Sequence, residues 1–168
     1  MRFNNEIVSI GQLNSMGISL GTNAKSSSRV GLEGDLTFTK NKLETGFTFN
    51  VSRNRISLDD KSSNPVLTPN FNSNLFISYK INKFEIGSNY KYVAQSFLDT
   101  DNDFICPEYH LIDLNFNYTL DNKFSIRFFV NNILDRNWTT GGIASPGFGR
   151  SFYYTSGVNF FMNVNYKL

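Results

Sequence analysis

The stretch YHLIDLNFNYTLDNKFSIRFFVNNILDRNW, residues 109–138, limits the possible folds more than any other. His110, Ile112, Leu114, Phe116, Tyr118 and Leu120 fall on one parity, and Asp113, Asn115, Asn117 and Thr119 on the other. Beyond LDNK, Phe124, Ile126, Phe128 and Val130 alternate with Lys123, Ser125, Arg127 and Asn131. Successive side chains of a strand point to opposite faces, so the pattern predicts a hairpin with one oily face and one wet face. The open question is whether the oily face meets a protein core or lipid.

The alternation recurs in five more segments. Val30, Leu32, Leu36 and Phe38 oppose Arg29, Glu33, Asp35 and Thr37. Leu43, Thr45, Phe47, Phe49 and Val51 oppose Lys42, Glu44, Thr48 and Asn50. Phe71, Leu75, Ile77, Tyr79 and Ile81 oppose Asn72, Asn74, Ser78 and Lys80. Phe84, Ile86, Tyr90 and Tyr92 oppose Glu85, Asn89 and Lys91. In the last segment, read as one strand over 151–168, Tyr154, Val158, Phe160, Met162, Val164, Tyr166 and Leu168 oppose Thr155, Asn159, Asn163, Asn165 and Lys167. Phe76, Leu111, Phe129 and Phe161 break the rule by falling on wet parities. The count is seven strands over 29–168, with 1–28 expected as a loop and strand remnant; residues 1–10, the candidate eighth strand, alternate poorly. Each strand is long enough, at about 9–11 residues, for a tilted membrane crossing.

Connection lengths carry a second signal. Tight turns around Lys40–Asn41, Asn82–Lys83 and Asp121–Asn122 alternate with long connections over roughly 53–68, 94–108 and 132–151. An up-and-down meander then has its short turns at one end and its long loops at the other, as in outer-membrane barrels. Aromatics gather toward strand ends, at Tyr79, Tyr90, Tyr92, Tyr109, Tyr118, Trp138, Tyr153, Tyr154 and Tyr166. These features favour a transmembrane β-barrel, although a soluble sandwich shows the same period of two. The fold expected is all-β: an antiparallel up-and-down meander of about seven or eight strands, the C-terminal segment of such a barrel. A net charge of +2 gives no nucleic-acid signal, and the single cysteine excludes an internal disulfide.

Several segments resemble the C-terminal part of a TonB-dependent outer-membrane receptor of the kind common in Bacteroidetes. NEIVSIGQLNSMGISLGTNAKSSSRVGLEGDL (5–36) is similar to the passage from a loop into a barrel strand. LTPNFNSNLFISYKI (67–81) resembles the TP-type strand entry, and YKYVAQSFLDTDND (90–103) the tyrosine-rich strand and its loop. FSIRFFVNNILDRNW (124–138) resembles the penultimate V-N-N-L-F-D strand, and YYTSGVNFFMNVNYKL (153–168) the closing strand. The resemblance implies a large plugged barrel that imports scarce nutrients, such as siderophores, glycans or peptides, with energy from TonB. It implies outer-membrane lipid, the remaining barrel and plug, and TonB through that plug as partners. The sequence shows no plug, TonB box or signal peptide, has far fewer strands than the 22 of plugged transporters, and ends in Leu168 where the family usually ends in an aromatic. The expectation is therefore a partial barrel, 1–168, in a Gram-negative outer membrane, inactive alone and exposed to aggregation through its open edges.

No catalytic, cofactor or metal residues are expected. Asp99, Asp101 and Asp103 have the opening spacing of a calcium loop, but Phe104 and His110 stand where Gly and Glu are needed. GGIASPGFGR (141–150) reads as a flexible loop, because it lacks the Gly-Lys-Ser/Thr ending of a phosphate cradle. Cys106 and His110 lack the third group of a nucleophilic triad. Glu85 and Lys91 read as lumen-lining charges, and the sequons at Asn50, Asn117 and Asn137 as chance in a chain with 23 asparagines. Two other readings stay open: a small self-closing 8-stranded barrel, adhesive or structural, and a soluble β-sandwich binding module.

Overall fold

A computed structural model describes residues 1–59, 61–145 and 149–167. Thirteen strands follow one another without a helix among the described residues: β1 (Arg2–Leu13), β2 (Ser19–Lys40), β3 (Leu43–Leu58), β4 (Lys61–Ser63), β5 (Phe71–Ile81), β6 (Phe84–Val93), β7 (Ser96–Phe97), β8 (Ile105–Cys106), β9 (Tyr109–Thr119), β10 (Phe124–Asn131), β11 (Thr139–Ser145), β12 (Gly149–Tyr154) and β13 (Asn159–Tyr166). Eight of them form the main antiparallel meander, in the order β1-β2-β3-β5-β6-β9-β10-β13, with β4 added beside β3. Two small sheets, β7-β8 and β11-β12, lie in the long connections.

The short turns owe their shape to side chains that tolerate or build them. Asn41 and Asn82 sit at φ of 54° and 53°, the left-handed region that asparagine visits more cheaply than most residues. In LDNK, Asp121 Oδ1 accepts from the Lys123 and Phe124 amides at 2.8 and 2.9 Å, an Asx turn. That turn is why the alternation continues in phase on both sides of it.

Register then assembles the faces, since directly opposed residues share one. One row runs Leu36, Phe47, Leu75, Tyr90, Ile112, and a second runs Leu43, Tyr79, Ile86, Phe116, Phe128, Met162. A third runs Ile81, Phe84, Tyr118, Ile126, Val164. The oily parities of separate strands thus merge into one surface, and it is not covered: Leu36 is 64% exposed and Met162 63%. Among the described residues only Ile56 and Leu98 are large side chains below 2% exposure. A sandwich would bury this surface under a second sheet; no described strand lies over it. β1 and β13, at the two ends of the sheet, do not pair, so this sheet does not close into a small barrel.

Three details depart from the sequence expectations. Residues 1–28, expected as a loop and strand remnant, carry all of β1 and the first part of β2, and Ser-rich register pairs such as Phe3–Ser27 hide the hairpin from a hydrophobicity pattern. The presumed loop at 53–68 begins as strand, because β3 runs on to Leu58 and β4 pairs with it. The closing strand is split. Thr155 donates its amide to the Trp138 carbonyl and Val158 donates to Asp135 Oδ1, so the chain leaves the β11-β12 hairpin before β13 begins. Leu168, expected on the oily face, lies outside the described residues.

Candidate functional site

The face opposite the oily rows carries the polar chemistry. Lys80, Glu85, Asn117, Arg127 and Asn163 form one row across five strands. Asp35, Thr48, Asn74 and Lys91 form another. Ser78 Oγ donates to Glu85 at 3.0 Å, and Asn50 donates to Glu33 at 2.6 Å. Glu85 and Lys91 therefore stand on the wet face, where alternation placed them. Leu111, Phe129 and Phe161 share that face by register, and the Phe129 and Phe161 rings lie 6.2 Å apart.

The long connections are ordered by a small core of their own. Leu98, Cys106 and Ala144 are buried together, with Phe104 and Phe152 against them. Burial pushes the Cys106 thiol above its ordinary pKa, so it is protonated and inert at neutral pH. Gly11, at φ +79°, lets the Leu98 carbonyl approach β1: a Cβ there would lie 1.7 Å from that oxygen. Beside this core opens a cleft of about 210 Å³, with Tyr109, His110, Arg136, Trp138 and Tyr154 among its lining. The Tyr109 and Trp138 rings lie 4.5 Å apart at a tilt of 32°, and Tyr92 donates its hydroxyl proton to Glu108 at 2.7 Å.

The residues singled out in the sequence serve other ends. Asp99 accepts from the Phe104 amide at 2.9 Å and the Asp103 amide at 3.4 Å, which folds its own loop, while Asp101 pairs with Lys61 at 3.1 Å. Among the described residues no three such side chains converge on a metal position. Cys106 belongs to the loop core, whereas His110 lies 6.2 Å from the Tyr90 ring. Within GGIASPGFGR, residues 141–145 and 149–150 are hairpin strands, not flexible loop, and Gly142 passes so close to Ser151 that a Cβ would lie 2.2 Å from its carbonyl oxygen. Pro146, Gly147 and Phe148 lie outside the described residues.

One structural device escaped the sequence reading. In NNILD, Asn132 (φ 53°) donates its side chain to the Arg136 carbonyl at 2.9 Å and accepts the Arg136 amide at 3.2 Å. Its own amide donates to Asp113 at 2.8 Å. With Asp135 holding the Val158 amide, this motif clamps the end of β10 and the start of β13 to β9. The repeated asparagine before an aspartate was the available signal.

A family model described as TonB dependent receptor-like, beta-barrel, matches residues 1–133. No curated protein sequence matches the chain. Among solved structures, the chain is similar to the copper transporter OprC, with a TM-score of 0.77 and 17% identity over 98% of this chain and 27% of that one. It is similar to the siderophore receptor PiuA from Acinetobacter baumannii (TM-score 0.73, 17% identity, 96% and 24% coverage). It is also similar to the ferric-catecholate import receptor Fiu from K12 E. coli (TM-score 0.73, 15% identity, 98% and 24% coverage). The chain thus spans about a quarter of the length of these structures.

Proposed function

The chain belongs to the TonB-dependent receptor β-barrel family, and from that premise we propose that it is one sector of the wall of an outer-membrane uptake receptor. The observation that carries this reading is the pair of faces. One surface of the meander is apolar and exposed, the other is polar, and the sheet is a single layer. Lipid covers the first and the transport lumen wets the second.

Residues 1–168 supply wall, lumen lining and external rim. The rest of the barrel and the plug come from the remaining receptor. β1 pairs with β2 as far as Ser28 and Met1 exchanges backbone bonds with Arg29, so the Val30–Lys40 edge carries no strand among the described residues. Unpaired strand edges are not tolerated in hydrocarbon, so this edge and the outer edge of β13 are where neighbouring wall strands add. External loops take the ligand, a nutrient of the siderophore, glycan or peptide classes. TonB pulls on the plug to open the path. The work is transport, not bond chemistry.

The test is complementation. A strain lacking this gene should lose TonB-dependent uptake of a labelled nutrient and regain it with the gene in its native context. Expression of residues 1–168 alone, behind an added signal peptide, should restore none. Uptake by that chain without a partner would contradict the sector reading.

A further inference from the structure

We propose that Arg2, Arg53 and Arg55 form a site for the phosphate groups of outer-leaflet lipid headgroups, an inference that rests on the wall-sector reading. Register puts Arg2, Ser28 and Arg55 in one row, and Val30 and Arg53 in the row next to it. The following row is Leu32, Val51, Phe71, already part of the oily face. Three guanidiniums therefore stand on the lipid-facing surface, directly beyond the apolar rows and on the side of the long connections.

The heights agree. On β3 the outward residues Leu43 to Val51 span eight steps, about 26 Å along the strand at about 3.3 Å per residue. Tilted by about 40°, that is about 20 Å of membrane normal, close to the roughly 25 Å apolar band of such barrels. Arg53 and Arg55 lie about 7 and 13 Å farther along the strand, at headgroup depth.

Charge points the same way. The Arg29 guanidinium is neutralised by Glu6, and Lys61 by Asp101. Among the described residues, Arg2, Arg53 and Arg55 have no carboxylate partner. Among the described residues Arg55 donates only to the neutral Asn64 side chain, which leaves further N–H groups for a ligand. Two clefts share Arg55, one on the side of β1 and β2 and one toward the loop before β5, and among the described residues neither is lined by an acid. Ser26, Ser28, Ser57 and Ser62 line the first and offer hydroxyl donors. Arginine forks match phosphate oxygens in pairs, and basic residues at membrane surfaces favour anionic headgroups.

The test uses the receptor isolated from its own membrane with its native neighbours, delipidated in neutral detergent, and native mass spectrometry with added lipid. Bisphosphorylated lipid A should bind, and its monophosphorylated form should bind more weakly. Arg53→Gln with Arg55→Gln should weaken bisphosphoryl lipid A about 25-fold, from about fivefold per arginine at a membrane surface. The double Lys variant keeps the charge but loses the fork, and should fall between. Arg127→Gln, on the wet face, should change nothing. Heat-modifiable mobility reports insertion separately for each variant. Failure of the wild type to insert would sink the wall-sector reading and this site with it. Normal insertion with equal affinity for both lipids, or no loss in the Gln variant, would overturn the site alone. Soluble pyrophosphate binding as tightly as lipid A would assign the arginines to a soluble anion and likewise overturn it.

Discussion

The apolar band and the rim beyond it are built on opposite principles. The band has almost no buried side chains; its order comes from backbone ladders and from an alternation that offers one whole surface to another phase. The rim buries Leu98, Cys106 and Ala144 in a core of its own, and locks its turns with side-chain clamps such as Asn132. Band residues are thus interchangeable within a hydrophobic class, whereas rim residues are specified atom by atom. A polar substitution should be costly in the band according to the face it falls on, and in the rim according to the bond it removes.

The largest effect tests the band. Leu114→Arg should cost about 2–4 kcal/mol in the assembled receptor, as for a charge forced toward the bilayer midplane, while Asn115→Arg should cost about 0–1 kcal/mol because its side chain meets water. Denaturant titration of the two variants in lipid vesicles gives the difference. Equal costs at these adjacent positions would break the distinction between the faces.

A smaller effect tests the rim. Asn132→Ala removes both bonds to the Arg136 backbone and leaves polar groups unsatisfied at a site only 4% exposed. The expected cost is about 2–3 kcal/mol. It should appear as faster proteolysis of residues 132–158, with the ladders of β5, β6 and β9 still protected from hydrogen exchange. Loss of protection throughout the sheet would show that band and rim are one cooperative unit.

The smallest effect is a pH dependence at the far edge of the rim. Hydrogen bonds from Ser27 and then from Arg29 hold the Glu6 carboxyl below the ordinary carboxylate range. A lowered folded-state value means that the contribution is fully present above the unfolded value, about 4.3, and is lost as pH falls through the lowered one. Hydrogen exchange of β1 amides should therefore accelerate below that point, and Glu6→Gln should flatten the profile.

The same contrast decides how much could be read from the sequence. The band was legible because lipid and water impose a period of two on every strand that crosses between them. Leu36, Phe47, Leu75 and Ile112 wrote the same face in four separate segments. The rim writes no such period. Ser26, Ser27 and Ser28 in β2 pair by backbone bonds and give no apolar signal, so the β1-β2 hairpin was hidden. The break before β13 follows from Asp135 and Trp138, which meet the later segment only in three dimensions. Asp99, Asp101 and Asp103 carry a metal-like spacing, yet one folds its loop and another pairs with Lys61.

Spin labelling along β9 tests the central claim most directly, that one face of this sheet meets lipid and the other water. Single cysteines at 111 to 118 are introduced one at a time over Cys106→Ala, the receptor is reconstituted in lipid vesicles, and collisions with oxygen and with a water-soluble nickel chelate are measured. Labels at 112, 114, 116 and 118 should favour oxygen, which concentrates in hydrocarbon. Labels at 113, 115 and 117 should favour the chelate. Accessibility that fails to alternate, or alternates in the opposite phase, would contradict the account.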